Sequence, residues 1–103
     1  MGRYRREQLQ TILEGIPGVK KVYFQPPESV KLEYPCIIYH LQNVNTVYAN
    51  DDPYKNMDAY SLMIIDRNPD SPIRFEIEKL RYTRFDRFFT ASNLNHWNYL
   101  IYY

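Results

Sequence analysis

The side chains that first suggest chemistry are Asp51, Asp52, Asp58, Asp66 and His40. Hard cations and metal-assisted hydrolysis need carboxylates gathered at one point. The spacing argues against that here. Asp51 and Asp52 sit in a turn-like stretch, where aspartate is favoured for its own backbone hydrogen bonding. Asp58 and Asp66 close the two ends of one strand pattern, about 25 Å apart at the usual rise per residue, too far to share an ion. Pro69-Asp70 opens a nuclease-like pattern, but Glu76-Ile77-Glu78 follows without the lysine that would complete it. No metal and no cofactor are expected.

Nucleophilic chemistry fares no better. Cys36 and His40 stand at i and i+4 of an extended run, about 13 Å apart along a strand and beyond hydrogen-bond reach. Cys36 reads as a small core residue. His96, the second histidine, lies near a strand start and reads as exposed or turn-stabilising. The three glycines, at 2, 15 and 18, cannot build a phosphate-cradling loop. The chain is therefore expected not to be an enzyme.

Arg81, Tyr82, Arg84, Phe85, Arg87, Phe88 and Phe89 interleave charge with aromatics, a composition that can stack single-stranded nucleic acid. A regular strand would put Arg84, Asp86 and Phe88 on one side and Phe85, Arg87 and Phe89 on the other, so neither side is a pure aromatic platform. The glycine-containing aromatic signature of an RNA-recognition sheet is missing.

The 103 residues fit one domain, 1–103, and Leu, Ile, Val and Phe make about a quarter of them, enough for a small core. A net charge of +1 from 13 basic and 12 acidic residues, with no polycationic half, argues against a dedicated duplex binder. A single cysteine excludes an internal disulfide and suits a reducing compartment. No apolar run approaches a membrane span, and the basic start lacks the apolar stretch of a secretory signal. Eleven Tyr, five Phe and one Trp make 17% aromatic residues, more than a core of this size holds comfortably, since each buried hydroxyl wants a partner. Tyr34, Tyr48, Tyr54, Tyr102 and Tyr103 fall in loops, strand ends or the chain end, and surface aromatics of this kind anchor protein–protein interfaces. The strand-like end, Tyr99 to Tyr103, should be docked in a sheet or covered by a neighbour.

Leu9, Ile12, Leu13 and Ile16 recur at helical spacing, predicting an amphipathic helix over about 4–15 that Gly15 and Pro17-Gly18 stop. Strands are expected over about 19–25, 34–44, 58–67, 83–90 and 96–103. The run 34–44 is apolar on both faces, which predicts a central strand. Ser71-Pro72 starts a second amphipathic helix over about 71–81. Residues 45–57 read as a long connection, and 91–95 as a polar connection of hairpin length. The order helix-strand-strand-strand-helix-strand-strand predicts an α+β domain. Its sheet should be mostly antiparallel, with about four to five strands and two packed helices.

Tyr34-Pro35-Cys36-Ile37-Ile38-Tyr39, followed by Tyr48-Ala49-Asn50-Asp51 and Tyr54, resembles the strand-and-loop core of bacteriophage tail terminator proteins, also called tail-completion or tail-to-head joining proteins. The runs Tyr60 to Asp66, Asn68-Pro69-Asp70-Ser71, Arg84-Phe85-Asp86-Arg87 and Thr90 to His96 are similar to a subgroup from phages of Gram-positive bacteria. The resemblance covers about residues 4–103. Where many relatives read Ala-Asp-Asn, this chain has Ala49-Asn50-Asp51.

The resemblance implies a virion structural protein at the head-proximal end of the tail, in the neck, assembled in the host cytoplasm. It implies a homohexameric ring that caps the last ring of tail tube protein, stops its polymerisation and docks on the head-tail connector protein. DNA would pass through the lumen without sequence reading. The loops about 45–57 and 91–96 are the candidates for axial contacts. Tyr48, Asp51, Asp52 and Tyr54, with Arg84 and Arg87, are the candidate assembly contacts. The alternatives are a small single-stranded nucleic-acid-binding domain, or another connector or head-completion ring of the same neck.

Overall fold

The computed structural model describes residues 2–43 and 57–103. Two helices and five strands follow one another as α1 (Gly2–Glu14), β1 (Lys21–Phe24), β2 (Cys36–Asn43), β3 (Ala59–Asp66), α2 (Ile73–Glu78), β4 (Thr83–Ala91) and β5 (Leu94–Tyr102). The class is α+β, and the order of elements is the expected one. The strands form one sheet in the order β1-β2-β3-β5-β4. Every neighbouring pair is antiparallel except β1 and β2, which run parallel, so the sheet is mixed. Alternation cannot distinguish the two arrangements. The sense is set by the long connection after Phe24, which carries the chain back to the starting end of β1, with a cis peptide at Tyr34-Pro35.

Both helices cover one face of the sheet. Leu9, Leu13 and Ile16 from α1 and its exit, and Ile73 and Ile77 from α2, pack on Val22, Ile37, Tyr39, Tyr60, Leu62, Ile64, Trp97, Tyr99 and Ile101. These strand residues alternate along β2, β3 and β5, as a sheet with one helix-covered face requires. β2 is central, between β1 and β3. Cys36 is fully buried in the structure.

The helix ends follow from local chemistry. Gly15 N–H bonds the Thr11 and Ile12 carbonyls, and Gly18 takes a φ of +94° that L side chains rarely adopt. Before α2, buried Ser71 accepts a hydrogen bond from Ile73 N–H at 3.3 Å, but the helix starts one residue later than Ser71-Pro72 predicts, with Pro72 rather than Ser71 at the N-cap position. α2 is shorter than its sequence pattern. Lys79 and Leu80 bond carbonyls three residues back, which tightens the last turn, and Tyr82 at φ +58° breaks it.

The β4–β5 connection is shorter than expected. Ala91 pairs with Leu94, leaving a two-residue turn at Ser92-Asn93, φ +54° and +63°. Two positive φ values make the turn whose twist matches the flanking strands. The end of the chain is docked: β5 lies between β3 and β4.

Candidate assembly surface

β4 has β5 on one side and no other strand among the described residues. Its nine residues are exposed but for a half-buried Thr83. Edge strands of this length normally need protection, because unpaired backbone groups template further pairing.

The facing of β4 differs from the regular alternation expected of it. Phe85 pairs with Tyr99 and Arg87 with Asn98, so one extra residue, Asp86, is inserted opposite β5. This β-bulge shifts the alternation by one. Phe85 and Phe88 come to the helix-covered side, against Tyr99 and Trp97. Arg84, Arg87 and Phe89 come to the open side, opposite Leu100, Asn98 and His96. The expected groupings Arg84/Asp86/Phe88 and Phe85/Arg87/Phe89 are thereby overturned, because period-two alternation holds only where no residue is inserted. The two faces are chemically sorted, one phenyl-rich and one bearing both arginines.

On the phenyl side, Phe85 lies edge-on to Tyr99 with ring centroids 5.5 Å apart, and Phe88 is 5.4 Å from Trp97. Phe75 of α2 adds a third exposed phenyl, and Pro69, Asp70, Arg74, Phe75, Phe88 and Trp97 line a shallow groove between α2 and β4. Nothing in the amino-acid pattern of α2 singled out Phe75; its exposure follows from the face that Ile73 and Ile77 bury. On the open side, Phe89 stacks on His96 at 4.5 Å with planes 9° apart. Arg87 Nε lies 3.7 Å from Asp86 Oδ2, both well exposed.

Arg84 and Arg87 are therefore exposed neighbours on the open face of β4. Tyr48, Asp51, Asp52 and Tyr54 lie outside the described residues. Of the loop 91–96 expected to make axial contacts, only Ser92-Asn93 is a turn; the rest pairs in the β4–β5 ladder. Tyr34, Tyr102 and Tyr103 are half-buried. Arg67 sits 5.4 Å over the Tyr34 ring, and Tyr103 Oη donates to Gln8.

The remaining tyrosine excess divides between core and rim. Tyr39, Tyr60 and Tyr99 are buried. The Tyr39 hydroxyl donates to Gln10 Oε1 and accepts from Arg6, and Tyr99 donates to Glu78 Oε2 at 2.6 Å. Burial raises all three phenols above their usual range, with Glu78 adding to the effect at Tyr99. Burial, helped by Asp66, pushes the Cys36 thiol up to about 11, so it is a poor nucleophile.

Among the described residues no three His, Cys, Asp or Glu side chains gather as metal ligands. Asp66 and Asn68 instead accept the Asn68 and Asp70 backbone N–H groups in successive tight turns. No described helix is long and apolar enough to cross a membrane.

Comparison of the chain with protein-family models and with curated proteins gives no match.

Proposed function

We propose that the chain is a non-enzymatic virion assembly protein of a tailed phage, a tail terminator that works as a homohexameric ring. The ring caps the head-proximal end of the tail tube, stops its polymerisation and meets the head-tail connector, while DNA passes through its lumen. A ring closes by a heterologous contact repeated around one axis, so each copy must offer two unlike surfaces. The observation that carries the reading is the unpartnered strand β4, with Phe85 and Phe88 about half exposed beside Phe75. Contiguous exposed aromatics of this kind commonly mark protein–protein contacts. The exposed Ile12 of α1 lies on another element and suits the second surface. The resemblance of the sequence runs supplies the identity of the partners.

The test is assembly with tail tube protein. Tube protein polymerising with the chain present should stop at short lengths, with the chain as a six-copy ring at one end. Tubes that grow unchanged beside an unbound chain would overturn the proposal.

A second reading draws on a different observation: Arg84, Arg87 and Phe89 share the open face. Those groups suit single-stranded nucleic acid. Retention on single-stranded DNA at physiological salt, lost in Arg84→Ala/Arg87→Ala, would favour it over the ring. Weak, salt-insensitive retention would dismiss it.

A further inference from the structure

We infer that the free protein associates two-fold through β4, the strand of one copy pairing antiparallel with the same strand of a second copy about the point between Asp86 and Arg87. The argument starts with the backbone. Tyr102 N–H donates to the Tyr82 carbonyl at 3.1 Å. With alternation along an antiparallel ladder, Tyr82 and Arg84 turn their backbone groups to β5, and Thr83 and Phe85 turn theirs outward. Beyond the bulge the phase changes, so that Arg87 and Phe89 face β5 while Phe88 and Thr90 face outward.

The side chains match this frame. Outward from its midpoint β4 reads Asp86, Phe85, Arg84, Thr83 in one direction and Arg87, Phe88, Phe89, Thr90 in the other. A two-fold pair therefore sets Asp86 against Arg87 of the second copy, Phe85 against Phe88, Arg84 against Phe89 and Thr83 against Thr90. The contacts are opposite charges, phenyl on phenyl, guanidinium on phenyl and threonine on threonine, all favourable cross-strand pairs. An unbroken strand could not pair with itself about a point between two residues, because the partners would face opposite sides of the sheet. The bulge removes that obstacle by placing Phe85 and Phe88 on one face with one outward sense. Charges and bulges on edge strands usually prevent pairing. Here Asp86 and Arg87 are opposite charges related by the midpoint, so this pair favours one register.

A second copy is a better occupant of β4 than the opposite edge of a neighbour. β1 offers four residues against nine, and its Lys21, with Lys20 before it, would add positive charge beside a strand that already carries Arg84 and Arg87. The inference concerns the free protein and stands whether or not a ring forms on the tube. A six-fold ring has no two-fold β4 contact, so the pair keeps in reserve the surface that the ring would bury.

The experiment is sedimentation equilibrium of the full chain without tube protein, across concentration and salt. The wild type should be a dimer whose association weakens with salt. Asp86→Arg and Arg87→Asp should each weaken association by ~tenfold or more, since each reverses two symmetry-related charge pairs, and D86R/R87D should restore it. Phe88→Lys should give monomers. Circular dichroism should stay unchanged throughout, because every altered side chain is exposed. A wild-type monomer, a dimer indifferent to the charge swaps, or a folded double swap that fails to re-associate would each overturn the inference. A swap-insensitive six-copy ring would overturn it while leaving the terminator reading standing. A swap-sensitive dimer that never caps tubes would support it and sink that reading.

Discussion

Tyr99 and Phe85 stand opposite each other across the β5–β4 ladder with their rings 5.5 Å apart, yet Tyr99 is 1% exposed and Phe85 47%. One strand further out, the same kind of residue on the same face changes from core to surface. The helices explain the step. α1 and α2 together cover β2, β3 and β5, while α2 meets β4 only in part and leaves every β4 residue but Thr83 exposed. Aromatic content therefore does not separate core from surface in this chain. Position relative to the helix layer does.

The largest effect that sharpens the comparison is on the covered side. Leu62, fully buried in the middle of β3, should cost about 2–5 kcal/mol when changed to Ala, measured by urea unfolding at low protein concentration. Phe85→Ala on the neighbouring edge should cost about 1 kcal/mol or less under the same conditions, because half of that ring is already in water. Equal losses at the two sites would mean that β4 belongs to the core after all.

The buried tyrosines give the next effect, and it depends on pH. Tyr39, Tyr60 and Tyr99 have phenols raised above their ordinary value by burial, and Cys36 is raised to about 11. In each case the unfolded chain releases its proton first. The stability tied to these groups is therefore complete only below about pH 8, a unit under the ordinary thiol value of about 9, and is lost progressively as pH rises further. Thermal unfolding between pH 8 and 11 should show a falling midpoint. Cys36→Ala should flatten the fall in its lower part. Tyr99→Phe should flatten it above pH 10, with loss of the hydrogen bond to exposed Glu78 costing about 1 kcal/mol at neutral pH. Edge substitutions such as Phe88→Ser should leave the slope untouched.

How much of this was legible in the residues follows the same division. The covered side is written in periodicity. Leu9, Leu13 and Ile16 at helical spacing, and Ile37/Tyr39, Leu62/Ile64 and Trp97/Tyr99 at strand spacing, face one another as their patterns require. The β4 edge is not written that way. An inserted residue leaves no mark on composition, so Asp86 passed as one more alternating position and the facings came out wrong. The parallel β1–β2 pair was hidden for a related reason, since strand sense depends on where a connection leads and not on the strand itself. Of the candidate contacts, Arg84 and Arg87 were recognisable by type as exposed residues of an aromatic strand, while the exposure of Phe75 needed the packing of α2.

The turn that closes β4 onto β5 offers the smallest effect. Ser92 and Asn93 both carry positive φ, which asparagine tolerates and serine tolerates less well. The pair lacks the Asn-Gly sequence that such a turn favours, which is why 91–95 reads as a longer connection. Ser92→Asn/Asn93→Gly should relieve backbone strain at both positions without touching either face of β4. The expected gain is about 0.5–1 kcal/mol, somewhat reduced by the extra freedom glycine gives the unfolded chain. Because Thr83 to Thr90 are unchanged, the two-fold association measured by sedimentation should be unchanged as well. If the turn substitution altered association as strongly as Asp86→Arg, the contact would have to be moved from the strand to its tip, where Thr90, Ala91 and Asn95 surround Ser92-Asn93.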